Sequence, residues 1–313
     1  MSRRKKIIIV ICSIPAILLI LYLGALAYMN TIVIEEQHIS QMPDSFYGKA
    51  YEQGHLEVVE YDTTINGKSV TKNATVYLPY GYKGGADKYD VLYLMHGRGG
   101  SYRTWLGKPG SERPFKNILD NMIENRVIRP IIVVAPELSY DYGEDDDIMD
   151  GTAGEIAEDL IPLIDRRYRT YGDRNHRGMA GFSMGGSLTW HMLKDHTDCF
   201  YYYLPMSMAL YYDSNGYSKT KSIRSAASII HGIRKSGYNA SDFKVYTATG
   251  ENDHKALAAY MQVEDLIHHK SLFRYADDDF SEGNIMFKVW PVKWHRYTES
   301  FPYLYDGLGY MFN

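Results

Sequence analysis

Six runs of this chain are apolar almost without interruption: DVLYLMHG, IIVVAPE, HRGMAGFS, YYYLPMSMA, FKVYTATG and NIMFKVWP. A strand with one wet face alternates apolar and polar residues, whereas a strand covered on both faces does not. Between these runs lie segments of helical character: EIAEDLIPLIDRRYRTY, GGSLTWHMLKDH, SIRSAASIIHGIRKSG and KALAAYMQVEDLIHHKSLF. In the first, Ile156, Leu160, Leu163 and Ile164 recur at three-to-four spacing, acidic residues cluster early, and Pro162 predicts a bend or a break. LEVVEY and ATVYLP, joined through the turn signal Asn66-Gly67, read as an opening pair of strands. Strand and helix in alternation imply an α/β architecture: a mostly parallel central sheet with helices on both faces.

The first 30 residues are a different material. MSRRKK supplies four positive charges, and Ile7 to Met29 follows with none, a run of about 23 residues that is long enough to span a hydrocarbon core. The cationic flank predicts an N-terminal transmembrane helix acting as a signal anchor, with its basic end cytoplasmic and the rest of the chain extracellular. A signal peptide cleaved near Ala25-Leu26-Ala27, releasing a secreted protein, is the competing reading. The expected organisation is therefore an anchor over 1–30, a linker over 31–55 and one α/β domain over 56–313.

Composition narrows the function. A net charge of −4 gives no basic face for nucleic acid. Of the two cysteines, Cys12 lies in the apolar run and Cys199 in the body, so no disulfide is expected within the domain, and Cys199 reads as a buried, inert thiol. No H-E-x-x-H or paired-cysteine motif offers a zinc site. The acidic stretch Glu144 to Asp147, with Asp150, matches no EF-hand and reads as a solvated loop rather than a calcium site.

One motif carries chemistry. Gly181-Phe182-Ser183-Met184-Gly185 follows a predicted strand and opens a predicted helix, the setting in which G-x-S-x-G lifts a serine over the carboxyl end of a sheet. A serine hydroxyl needs a base, and the base needs a carboxylate to orient it. Asp253, in the GENDH loop after FKVYTATG, is the better candidate acid than Glu251. His295, beyond NIMFKVWP, is the candidate base, with His254 as its rival. His191, His268 and His269 fall on helices and read as surface or packing residues. Donors for an oxyanion are expected from the N–H of Met184 and from the loop His96 to Gly100, with Arg98 the first candidate there and Gly97 the second. Trp105, Trp294 and Tyr297 flank these loops and are candidate substrate contacts, with core packing the equal alternative for each.

Taken together, HGRGGSYRTW, EDLIPLIDRRYRTYGDRNHRGMAGFSMGG, GENDH and WHRYTESF resemble the esterase D-like, putative-esterase branch of the α/β-hydrolases, which includes the feruloyl and acetyl-xylan esterases of carbohydrate esterase family one. The resemblance spans most of 56–313 and implies an α/β-hydrolase fold. It implies Ser183 as nucleophile, His295 as base, Asp253 as orienting acid, and no metal or organic cofactor. The implied activity is a serine carboxylesterase acting on small-molecule or polysaccharide esters, with acetyl or feruloyl groups on carbohydrate foremost. An envelope acyltransferase with the same core, or a non-catalytic binding protein of this fold, are the alternatives. Arg98 stands where small residues are common in the family, so its side chain is expected to narrow or charge the acyl pocket.

Overall fold

The structure is a computed structural model of the chain, describing Gly24 and residues 37–143, 145–211 and 218–313. By internal contacts the chain divides into two units, Met1–His38 and Ile39–Asn313. The expected membrane span lies outside the described residues except for Gly24. Among the described residues no helix is long and apolar enough to cross a membrane.

The apolar runs become strands that are buried on every residue, as two-sided cover requires: β3 (Asp90–Met95), β6 (Ile131–Ala135), β7 (Arg177–Phe182) and β10 (Ile285–Trp290). β8 (Tyr202–Met206) and β9 (Lys244–Gly250) are buried on all but their first residue. With β1 (His55–Ile65) and β2 (Lys68–Leu78) they form an eight-stranded sheet in the order β1-β2-β6-β3-β7-β8-β9-β10. β1 pairs antiparallel with β2 and β2 antiparallel with β6, while every pairing from β6 to β10 is parallel. The opening hairpin turns at Asn66 and Gly67, both at positive φ, which is the backbone a two-residue turn demands. A short ribbon, β4 (Gly107–Lys108) with β5 (Ser111–Glu112), stands apart from the sheet.

The helices are α1 (Pro114–Glu124), α2 (Asp145–Glu155), α3 (Ile161–Arg167), α4 (Met184–Asp195), α5 (Lys219–Lys235), α6 (Ala256–Ile267) and α7 (Phe301–Phe312). A π-helical turn, Ile156–Leu160, joins α2 to α3 directly ahead of Pro162. Proline has no N–H to give the preceding turn, so the wider winding falls where the sequence placed a break.

Two expectations are corrected here. Asp145, Asp146 and Asp147 are not loop residues but the first turn of α2, where carboxylates complement the positive end of a helix dipole. Residues 39–54, expected within a linker, are seated on the domain. Phe46 is buried, the Ser40 N–H donates to Asp306 Oδ1 (2.9 Å), the Gly54 N–H donates to Asp120 Oδ1 (2.9 Å), and Asn121 Nδ2 donates to the Gly48 carbonyl (2.9 Å). One buried aromatic ring and several satisfied polar groups tie down a segment whose sequence shows no periodicity.

The chain runs from β3 to β6 on one side of β3, then returns to β7 on the other. Open α/β sheets bind ligands at such a reversal, outside the carboxyl ends of the strands. The loop after β3 and the turn after β7 meet there.

Candidate active site

The turn after β7 is built by close approach. A side chain at Gly181 would overlap the Gly185 carbonyl, and a Cβ at Gly185 would lie 2.5 Å from the Met95 carbonyl oxygen. Only glycine lets β7, α4 and β3 come this near. The constraint holds Ser183 at φ 57 and ψ −120, a conformation that residues with side chains rarely adopt. The Ser183 N–H donates to the Met206 carbonyl on β8 (3.0 Å), which fixes the turn on its other flank. Helix α4 starts at Met184, whose N–H has no acceptor within the helix.

His295 lies in the loop after β10 and Asp253 in the loop after β9, so adjacent parallel strands deliver both. His295 Nε2 is 2.9 Å from Ser183 Oγ, and His295 Nδ1 is 2.9 Å from each carboxylate oxygen of Asp253. The Asp253 side chain is fully buried and also accepts from the Lys255 N–H (2.7 Å). A buried carboxylate on Nδ1 leaves Nε2 free to take a proton from Ser183. The Phe182 ring lies 4.7 Å from the imidazole, centroid to centroid, and covers one side of it.

His254, the rival base, is mostly exposed, and its Nδ1 stands 3.9 Å from Asp253 Oδ1. Burial, and then the neighbouring His295, push its pKa down. The hydrogen bond to Ser183 belongs to His295.

The loop after β3 abuts the nucleophile: a Cβ at Gly97 would lie 3.2 Å from that of Ser183. Its turn is closed by the Gly100 N–H donating to the Gly97 carbonyl (3.1 Å), with Gly99 at φ 73, the pattern of a type II turn with Arg98 at its second position. His96, at 1% exposure, supports this turn from beneath. Its Nδ1 bonds the Gly97 carbonyl (2.7 Å) and its Nε2 accepts the Leu138 N–H (3.3 Å), which is the pattern of a neutral imidazole. Burial pushes its pKa down to about 4.

These elements enclose a cleft of about 440 Å³ over Ser183. Met149, Met184, Met208 and Leu210 give it an apolar surface, while Arg98, Asp145 and Asp146 charge its rim. The Arg98 side chain reaches across to Asp145 on α2, where the two charges pair at the lining of the cleft.

The candidate substrate contacts divide. Trp105 is 1% exposed and packs edge-on against Phe115 and Tyr297, so it belongs to the core. Tyr297 lies half-buried against Trp105 and Phe301 and is absent from the cleft lining. For both, the structure shows the packing alternative: they lie against the aromatic core and outside the cleft lining. Trp294 is 55% exposed beside His295, outside the cleft lining. Glu251, weighed above as an acid, and Glu299, which sequence reasoning missed, accept the N–H groups of Val292 (3.0 Å) and Trp294 and so bracket the loop that carries His295.

Among the described residues three groups bring His, Cys, Asp or Glu atoms within metal-ligand range. One is the Asp253, His254 and His295 set itself. In the second, Asp150 bonds buried His191 (2.8 Å) and Asp195 bonds Lys194 (2.8 Å), so an ammonium already supplies the cation. In the third, burial pushes the Cys199 thiol up to about 12, which disfavours the thiolate a metal would need.

A family model described as putative esterase matches residues 69–285. Endo-1,4-beta-xylanase Y of Acetivibrio thermocellus is 34% identical over 281 residues, which cover 87% of this chain and 24% of that protein. An endo-1,4-beta-xylanase/feruloyl esterase of Xylanibacter ruminicola is 37% identical over 158 residues, covering 46% of this chain and 20% of that one. The chain thus spans a quarter or less of the length of these two relatives. Among solved structures, a mutant of the feruloyl esterase module from Clostridium thermocellum, complexed with sinapinate, superposes with a TM-score of 0.72 at 30% identity, covering 88% of this chain and 93% of that one. The family match takes in β3, the serine turn and the acid loop in one continuous span, and the chain belongs to the putative esterase family.

Proposed function

We propose that this domain is a serine carboxylesterase that works through an acyl-enzyme. The observation that carries the reading is the relay of 2.9 Å contacts from Ser183 Oγ to His295 and from His295 to buried Asp253. In this reading His295 Nε2 takes the Ser183 proton as Oγ attacks the ester carbonyl. The developing oxyanion is held by the N–H groups of Met184 and Arg98. Two facts support those donors: Met184 opens a helix, and the Arg98 N–H takes no part in the hydrogen bond that closes its turn. His295 then returns the proton to the departing alcohol, and a water activated by the same nitrogen releases the acid.

Feruloyl or acetyl groups on carbohydrate are the proposed substrates. An apolar cleft wall with a charged rim suits an apolar acyl group on a polar alcohol, and the named relatives include feruloyl esterases. Residues 7–29 are proposed as a membrane anchor that places the domain outside the cell. N-terminal sequencing of the membrane fraction tests this, and a mature chain starting at Tyr28 refutes it.

Incubation with p-nitrophenyl acetate and methyl ferulate tests the activity. Wild type is expected to hydrolyse both and to be labelled by a fluorophosphonate. Ser183→Ala is expected to lose about a million-fold in kcat. Hydrolysis that survives this substitution, or a wild type that is inert and unlabelled, overturns the reading.

A further inference from the structure

The turn that offers the second oxyanion donor is fastened from one side by residues 137–140 and by Asp145 at the start of α2. The root of that stretch is anchored deep in the domain. Lys72 on β2, 7% exposed, donates from Nζ to the Glu137 carbonyl (3.1 Å), to Ser139 Oγ and to Glu155 Oε2 on α2 (2.6 Å). The Ser139 N–H donates to Thr152 Oγ1 (3.1 Å), also on α2. From this root three contacts reach the glycine turn and its supporting imidazole: the Leu138 N–H donates to His96 Nε2 (3.3 Å), the Gly99 N–H donates to the Tyr140 hydroxyl (2.9 Å), and the Arg98 guanidinium donates to Asp145.

We propose that Leu138, Tyr140 and Asp145 act as a clasp that sets the Arg98 N–H, with Tyr140 and Asp145 as positioning residues for the reaction. The inference rests on the esterase reading above for its kinetic consequence. The physical reason is that a turn of three glycines and one arginine has little of its own to hold it. Gly97, Gly99 and Gly100 permit many backbone conformations, so outside contacts must select one. Two outside contacts fall on different residues of the turn, Gly99 and Arg98, a third falls on the His96 beneath it, and the Arg98–Asp145 pair lines the cleft. Asp145 and Met149 also line the cleft, so the wall that meets substrate and the turn that meets the oxyanion are one mechanical unit.

The test compares Tyr140→Phe, Asp145→Asn and the double variant with wild type in two measurements. Steady-state hydrolysis of p-nitrophenyl acetate is expected to fall roughly three- to tenfold in kcat for each single variant, with KM within about twofold, as suits neutral or exposed polar contacts. Amide hydrogen exchange is expected to accelerate over 97–100 while α4 and the β7 turn keep their protection. Unchanged exchange at 97–100 in the double variant, or a loss confined to KM, overturns the clasp. Accelerated exchange in variants of a wild type that is inert toward esters upholds the clasp and removes the esterase reading instead.

Discussion

The turn that carries Ser183 and the loop that carries His295 end 2.9 Å apart and are built by different means. The serine turn is enforced by volume: three strands and a helix close on glycines that leave room for hydrogen and nothing larger. The histidine loop shares one such approach, since a Cβ at Gly250 would overlap the Lys293 carbonyl oxygen, but beyond that point it is held by polar contacts. Glu251 and Glu299 accept the amides of Val292 and Trp294, and the Asn252 N–H donates to the Lys293 carbonyl (3.0 Å). Val292 is held at φ 58 with its side chain 70% exposed, a strained backbone for a β-branched residue. A nucleophile tolerates almost no displacement, whereas a base must change charge and partner during turnover. Packing suits the first demand and hydrogen bonds the second.

The contrast can be broken at either loop. Gly181→Ala should lower stability by about 3 kcal/mol, since the added methyl meets backbone that cannot retreat. Urea unfolding measures this, and a tolerated alanine would show that volume does not hold the serine turn. The turn after β3 is an intermediate case, because a buried imidazole supports it from beneath while exposed polar contacts hold its outer side. His96 is depressed from 6.5 to about 4, so between those values the unfolded chain binds the extra proton and stability rises with pH. The contribution is complete above pH 6.5 and is lost as pH falls toward 4, on the order of 3 kcal/mol in all. Unfolding midpoints of wild type and His96→Gln across that range should diverge accordingly.

Smaller effects are expected at the histidine loop. Glu299→Ala should lower kcat about tenfold with little change in unfolding midpoint, because it frees one amide of a surface loop. Glu299→Gln, which keeps an acceptor, should recover most of that rate. Val292→Gly should raise stability by no more than ~1 kcal/mol, as relief of strain is partly offset by a more flexible unfolded chain. A fall in thermal midpoint for that variant would mean that the φ of Val292 carries no strain.

What could be read from the sequence follows the same division. The β7 turn was legible because volume leaves a compositional mark: glycine at 181 and 185, an apolar strand before and a helix after. Asp253 and His295 were legible from their places after strands. The polar contacts were not, because Glu299 and Tyr140 carry no mark beyond being hydrogen-bonding residues in loops. Trp105 and Tyr297 were left open between substrate contact and packing for a related reason: nearness along the chain says nothing about which side of a loop a ring occupies. Helix α1 escaped notice because PFKNILDNMIE buries Lys116, Asp120 and Asn121 along with its apolar residues, which blurs its period. The acidic start of α2 looked like a solvated loop because three aspartates have poor helix propensity except in a first turn.

The parallel run of strands from β6 to β10 gives the molecule a working end and a handling end. Every residue of the relay leaves a strand at its carboxyl end, so connections that enter strands lie on the opposite rim. The turn before β9 is one of these. Gly237 sits there at φ 78 with open space where a side chain would begin. An attachment point placed at that turn would tether the domain to a support or a fusion partner with its cleft facing away, and the route of substrate to Ser183 would stay clear.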